Sequence, residues 1–374
     1  MQPRRVIIIG GGPAGATAAI VLARRGLNPL VFEAHYGPQA KIGECLPPGV
    51  NPLLQQLKLD DQLHNDGHLL SYGNRSVWGS TTPVERDFLL GTRGYGWHLG
   101  RLKFEADLTC AARDAGVDWR YQHRLTDLVF QDQCWLLKVK TPAGNESFEA
   151  AFVVDATGRP ARVARQLGVR QIQYDRLIGA AVLLKPRVGE GIKDSFTLVE
   201  AVASGWWYSA RLPDSTLMAV YMTDSDLIDH ATLRRTDGWS ALLNETDYTR
   251  GRIGEGQYCP LAEPRLLPAN TAHLTSIIGN CWLAIGDAAV AYDPLSSYGI
   301  SSAMGAGFYA ASAIADFLMG DRGALVAYAS IIKRAFAEYL VRHQDRYCLE
   351  QRWADKAFWQ RRHSSIFGRA LSGH

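Results

Sequence analysis

Gly10-Gly11-Gly12-Pro13-Ala14-Gly15 fits the spacing G-x-G-x-x-G, and Glu33 follows 18 residues after Gly15. Glycines at these positions do separate work: Gly10 permits a tight turn, Gly12 lets a pyrophosphate approach the backbone, and Gly15 lets a helix pack closely on a strand. The amides at the start of a helix opening at Pro13 and Ala14 would face the phosphates. The Glu33 carboxylate, with Ala34 beside it, would meet adenosine ribose hydroxyls. This chemistry needs a strand before the glycines and a helix after them. Val6-Ile7-Ile8-Ile9 is a β-branched run, Pro13 to Arg25 is alanine-rich with helical spacing, and Pro29 to Phe32 forms a second short strand. The expected start is βαβ, and the ligand is a dinucleotide.

Two later segments narrow the ligand. Val153-Val154-Asp155-Ala156-Thr157-Gly158-Arg159 resembles the Asp-Ala-Thr-Gly segment of FAD-dependent oxidoreductases. Ile285-Gly286-Asp287-Ala288-Ala289, followed by Asp293-Pro294 and Gly299-Ile300, resembles their Gly-Asp motif. The resemblance implies FAD, with Thr157 and Gly158 near the pyrophosphate and Asp287 on a ribityl hydroxyl. It also implies a helix start beyond Gly286, Pro294, Gly299 and Ile300 that faces the flavin pyrimidine, where oriented amides favour the anionic reduced ring. Read by itself, Asp287 could equally cap a helix.

Three further segments carry candidate chemistry. Gly96-Trp97-His98-Leu99-Gly100-Arg101 resembles the segment of these flavoproteins that brings an arginine near the cofactor. Arg101 then pairs with pyrophosphate or orients the flavin edge; His98, flanked by Trp97 and Leu99, is either packed or catalytic. Gly43-Glu44-Cys45-Leu46-Pro47-Pro48 resembles the Gly-Glu-x-x-x-Pro loop of flavin-dependent halogenases and hydroxylating relatives. Glu44 there holds the loop or the flavin, unless the segment is a plain turn before a helix at Asn51 to Leu59. Trp206-Trp207-Tyr208 places rings on both faces of a strand, where they either fill an interdomain core or line a substrate slot.

These motifs need a scaffold that gathers distant segments. Hydrophobic residues make up 47% and charged residues 21% of the 374, enough for two packed domains sharing an interface. A formal charge of +3 gives no footprint for nucleic acid. Six cysteines without metal-ligand spacing read as reduced thiols of a cytoplasmic protein, with no metal site expected. No apolar run reaches the roughly 18 residues of a membrane span, and glycines and Arg24-Arg25 interrupt the only signal-like start, so no export is expected. Helical spacing runs from Phe104 to Ala115 and from Ser301 to Met319, and Ala324 to Trp359 reads as largely helical. Strand-like runs occupy Trp119 to Phe152, Ala180 to Leu184, Leu217 to Met222 and Cys281 to Ile285. The expected fold is α/β. A Rossmann-type FAD domain (1–75, 95–170, 275–330) interleaves with an antiparallel β-sheet substrate domain (76–94, 171–274), and C-terminal helices follow (331–374).

In motif order the chain is similar to the FAD superfamily of aromatic hydroxylases, tryptophan halogenases and geranylgeranyl reductases. The Gly43–Pro48, Gly96–Arg101 and Gly205–Pro213 segments, with Arg352-Trp353 and Phe358 to Arg362, look most like LodB- and QhpG-type maturation flavoproteins of quinone-cofactor enzymes. That resemblance implies a monooxygenase using O2 on a tryptophan of a quinoprotein precursor. A small-molecule aromatic hydroxylase is the alternative. A halogenase would need a lysine on the stretch matched by Gly67 to Gly79, which has none, and Lys58 falls earlier, on the predicted helix. The halogenase Trp-x-Trp-x-Ile-Pro signature is also missing. A geranylgeranyl reductase would need a long apolar tunnel, and a redox-silent flavin module would not cycle. No second strand-loop-helix fingerprint occurs, so NAD(P)H binds transiently or a separate reductase supplies electrons.

Overall fold

The structure, a computed structural model, describes residues 6–39, 41–189 and 191–364. Its first sheet grows from the β-branched strand Val6–Ile9, all four residues buried. That strand pairs in parallel with Leu30–Glu33 on one side and Phe152–Asp155 on the other, with Ile8 opposite Val31 and Val154. Asp118–Tyr121 and Trp282–Ala284 extend the parallel sheet, and Ile278–Gly279 closes one edge antiparallel. Strands buried on both faces need no polar alternation, which is why their sequences read as continuous apolar runs. The Asp155 and Ala284 ends lie side by side in register, so the turns after Ile9, Asp155 and Ala284 emerge at one edge of the sheet.

Helix Pro13–Arg24 packs against the 20-residue helix Gly299–Leu318. Their approach is so close that a Cβ on Gly307 would lie 2.3 Å from the Ala14 carbonyl oxygen. The alanine and glycine content of both helices therefore sets the geometry of the loops that precede them. A three-stranded meander, Arg124–Gln131, Cys134–Thr141 and Gly144–Ala150, occupies the region of predicted short strands.

The second layer is an eight-stranded sheet centred on Leu177–Pro186, Leu217–Asp224, Gly205–Arg211 and Thr197–Val202. It departs from the expected antiparallel arrangement at one place: Gly73–Val77 runs parallel to Thr197–Val202, and Val84–Asp87 follows it at the edge. Gly73–Val77 thus draws the chain before position 75 into this sheet. The expected C-terminal helices are Ala324–Cys348 and Ala357–His363. The break between them is held by buried Glu350, which accepts from the Gly79 amide at 2.7 Å and pairs with Arg352. Beyond it Arg362, buried, makes two hydrogen bonds to Asp224 at 2.8 and 3.1 Å, and the Trp359 indole donates to the Val202 carbonyl. These contacts fix the last helices to the large sheet. No helix among the described residues is long and apolar enough to cross a membrane.

Candidate cofactor and active site

At the nucleotide end, Gly10 adopts φ +112°, and a Cβ there would sit 2.2 Å from the Ala156 carbonyl oxygen. A Cβ on Gly15 would lie 2.0 Å from the Gly10 oxygen, whereas one on Gly12 would meet only the Lys41 ammonium at 4.0 Å. Gly10 and Gly15 are therefore demanded by packing, and Gly12 borders open space. Helix Pro13–Arg24 starts with no side chain capping it, which leaves its first amides to an incoming anion. Glu33 accepts from the amides of Gly11 and His35, both at 2.9 Å, so its carboxylate also braces the loop. Ala34 follows at the end of that strand, half-buried. A narrow crevice beside Gly11 and Glu33 is lined by Trp119, whose buried indole nitrogen has no hydrogen-bond partner among the described residues.

The other cofactor segments converge on the same sheet edge. Asp155 is buried and accepts from the Thr157 amide and hydroxyl and from the Ala164 amide at 2.7–3.0 Å. It fixes the turn that presents Thr157 and Gly158. Gly286 adopts φ +57° against Ala14, and Asp287 follows in the short turn Gly286–Ala288. Asp287 caps no helix. Its carboxylate makes no hydrogen bond among the described residues, and its nearest charge is Arg159 at 3.7 Å. Its side chain is 35% exposed, and desolvation raises its carboxyl while Arg159, Arg101 and Lys41 oppose the rise. A hydroxyl donor would fill this gap. Pro294 opens a second short turn, and Gly299 and Ile300 begin the long helix, again without a side-chain cap. The uncapped helix, the orphaned indole nitrogen, the open space at Gly12 and the unbonded Asp287 together fit a dinucleotide with a polyhydroxyl chain.

Arg101, expected to pair with pyrophosphate or orient the flavin edge, is held in place by protein partners. Its guanidinium donates to the carbonyls of Ile42 and Gly43 at 3.2 and 2.6 Å and pairs with Glu105 at 2.6 Å. It clamps the loop that carries Glu44. Glu44 is fully buried and accepts from the Tyr208 hydroxyl at 3.3 Å. The Cys45 thiol meets Tyr208 and Thr197 at 3.2 Å each, and the His98 ring meets Thr197 at 2.9 Å. Burial, with the charge of Arg252, pushes the His98 imidazole down to about 4, so it is neutral at neutral pH and sealed from solvent. Trp206 and Trp207 are core residues on opposite faces of the large sheet, not walls of a slot. Trp207 packs on Trp239 and Tyr221, and Trp206 donates to the Tyr347 hydroxyl at 3.0 Å.

The open volume lies elsewhere. A cavity of about 600 Å³ is bounded by Pro47-Pro48-Gly49, the segment around Phe88, the turn Leu295–Tyr298, and Tyr339 and His343 of helix Ala324–Cys348. It joins the two loops that the sequence assigned to the flavin. Behind it stands Asp293, only 1% exposed. One carboxylate oxygen accepts from the Leu295 amide at 2.8 Å. The other meets the His343 ring nitrogen at 3.0 Å and accepts from the Tyr347 hydroxyl at 2.8 Å. Burial alone would raise Asp293, but the contacts with His343 and the Leu295 amide, and the charge of Arg362, hold it below its ordinary value. Sequence reading gave Asp293 no role and missed His343, Tyr339 and Tyr347, because their helix carries no motif. The only available signal was a row of aromatic and histidine residues, Tyr339, His343 and Tyr347, one turn apart.

Residues 4–203, more than half of the chain, match the family described as FAD binding domain. The chain belongs to that family, and its class is that of FAD-dependent oxidoreductases. Among known proteins it is 28% identical over 369 residues to LodB of Marinomonas mediterranea, to which FAD-dependent oxidoreductase activity is ascribed; the match covers 97% of this chain and 98% of LodB. In fold it is similar to the myxobacterial chondrochloren halogenase CndH, with TM-score 0.87, 22% identity, and coverage of 99% of this chain and 89% of CndH. It is also similar to the peptidyl tryptophan dihydroxylase QhpG, with TM-score 0.77, 23% identity, and coverage of 97% and 79%.

Asp287→Ala removes a charged acceptor whose hydrogen bond to a hydroxyl is worth about 1.5–3 kcal/mol. FAD affinity measured by titration of the apoprotein should fall about ten- to a hundredfold; unchanged affinity would remove Asp287 from the site. Burial raises the Glu44 carboxyl above 4.5, its ordinary value, against the opposing charge of Arg101. The folded state therefore holds this proton more tightly than the unfolded chain, and stability is lost as pH climbs above 4.5. Urea unfolding of Glu44→Gln should track the wild type below that pH and gain on it above, and a stability gap independent of pH would contradict the assignment.

Proposed function

We propose that this FAD-dependent oxidoreductase is a monooxygenase that hydroxylates a tryptophan side chain of a partner protein during quinone cofactor biogenesis. The observation that carries the reading is the similarity to LodB along nearly the whole of both chains, joined by the likeness in fold to a protein whose name states peptidyl tryptophan dihydroxylation. When bound, FAD supplies the electrons with which O2 oxygenates an aromatic ring. The residues that would hold it are Gly10 to Gly15, Glu33, Thr157 and Gly158, Asp287, and the helix start at Gly299 and Ile300. Pro47, Pro48 and the Leu295–Tyr298 turn would exclude water from the ring and orient the substrate. NAD(P)H binding transiently, or a separate reductase, would provide the reducing electrons.

Halogenation is the second reading, favoured by the fold likeness to CndH. Against it stand the absence of lysine from Gly67 to Gly79 and from the lining of the 600 Å³ cavity among the described residues. The cavity is also broad for a single ring, as entry of a side chain still attached to its backbone requires.

Co-expression with a quinoprotein precursor, followed by intact mass, tests the reading. The precursor should gain oxygen only when this chain is present, and bromide should leave no halogen isotope pattern. Equal oxygen gain without the flavoprotein, or efficient turnover of free phenols with the precursor ignored, would move the assignment to a small-molecule hydroxylase.

A further inference from the structure

Four arginines line the large cavity, Arg86, Arg93, Arg342 and Arg346, against one aspartate, Asp87. All four are exposed, and none is paired with a carboxylate among the described residues. The Asp87 carboxylate is already occupied by the Leu89 amide at 2.8 Å. Some exposed arginines elsewhere do find a carboxylate, as Arg176 does with Asp226 and Arg334 with Glu338. A chain whose whole formal charge is +3 thus gathers a comparable uncompensated charge at one opening. Such a concentration repels itself and persists where an anionic partner neutralises it.

The arrangement constrains the partner further. Arg93 lies against Gly49, where a Cβ would come within 3.2 Å of its guanidinium, so its charge sits beside the apolar Pro47-Pro48 wall. Arg342 reaches the Tyr298 hydroxyl at 3.4 Å, beside Leu295. Apolar wall and cationic rim are therefore adjacent at two separate elements. Arg342 and Arg346 are one helical turn apart, about 6 Å along the axis. Side chains two apart on one face of an extended chain are separated by about 6.6 Å.

We infer that the cavity mouth is a docking site for an acidic, extended polypeptide segment, whose carboxylates engage Arg342–Arg346 and Arg86–Arg93 while an aromatic side chain between them enters the cavity. This rests on the proposed protein substrate and names its local sequence: aspartate or glutamate on both sides of the modified residue. The guanidiniums bind and steer; they take no part in the chemistry. Because they are exposed, the attraction is screened by salt over about 8 Å at physiological ionic strength.

The probe is a short labelled peptide with a central tryptophan and aspartates two positions to either side, titrated by fluorescence anisotropy with oxidised wild-type protein. Binding is read without turnover, so failure of hydroxylation and failure of docking are separate results. The aspartate peptide should bind at least about tenfold more tightly than its asparagine counterpart, and the advantage should shrink as salt rises. R342E/R346E and R86E/R93E should each weaken it about tenfold or more while keeping the wild-type flavin spectrum; R342Q/R346Q serves if a reversal disturbs folding. Equal binding of the two peptides, no binding of either, or unaltered affinity in both double variants would overturn the inference. Succinate competing as well as the peptide at equal carboxylate concentration would overturn the polypeptide in favour of a small acid.

Discussion

A carboxylate in the protein interior must be satisfied on every side, and Asp293 imposes that condition on three parts of the fold at once. It binds the Leu295 amide in its own turn and the His343 ring and Tyr347 hydroxyl on the penultimate helix. Tyr347 in turn accepts from Trp206 of the large sheet, and the Tyr339 hydroxyl accepts from the Asp293 amide. Removing any member would leave a buried polar group unpaired, at several times the net worth of an ordinary hydrogen bond. The turn that bounds the cavity is therefore held by a helix some fifty residues later in the chain.

A division of labour follows from where each residue sits. The parallel sheet and its two closely packed helices present glycine-rich turns and uncapped helix starts, which suit a dinucleotide. Buried Glu44, His98 and Thr197, with half-buried Cys45 and Tyr208, weld the loop carrying Pro47 and Pro48 to the large sheet. The C-terminal helices supply one wall and part of the cationic rim. The elements that bound the cavity therefore lie outside the nucleotide fingerprint, and the fold as a whole is shared with a halogenase and a peptidyl tryptophan dihydroxylase.

What the sequence made legible was local. Strand Val6–Ile9, the glycine turn and helix Pro13–Arg24 follow from β-branching, positive φ and apolar spacing within a few residues. The helix from Gly299 was readable from its small residues. Roles that depend on distant partners were not. Arg101 was singled out by its motif, but its protein partners, the Ile42 and Gly43 carbonyls and Glu105, could not be read there. Trp206 and Trp207 offered two faces, and only the packing of helix Ala357–His363 and Trp239 against the sheet makes both faces core. The parallel entry of Gly73–Val77 depends on strand pairing over more than a hundred residues, which no periodicity encodes.

The coupling of the cavity turn to the last helices through Asp293 is tested most directly by amide hydrogen exchange in Asp293→Asn, which keeps size and removes the charge. Exchange should quicken at least about tenfold both at the Leu295–Tyr298 turn and around His343–Tyr347, since both sides lose one shared anchor. Protection unchanged at both, or altered at the turn alone, would contradict the coupling.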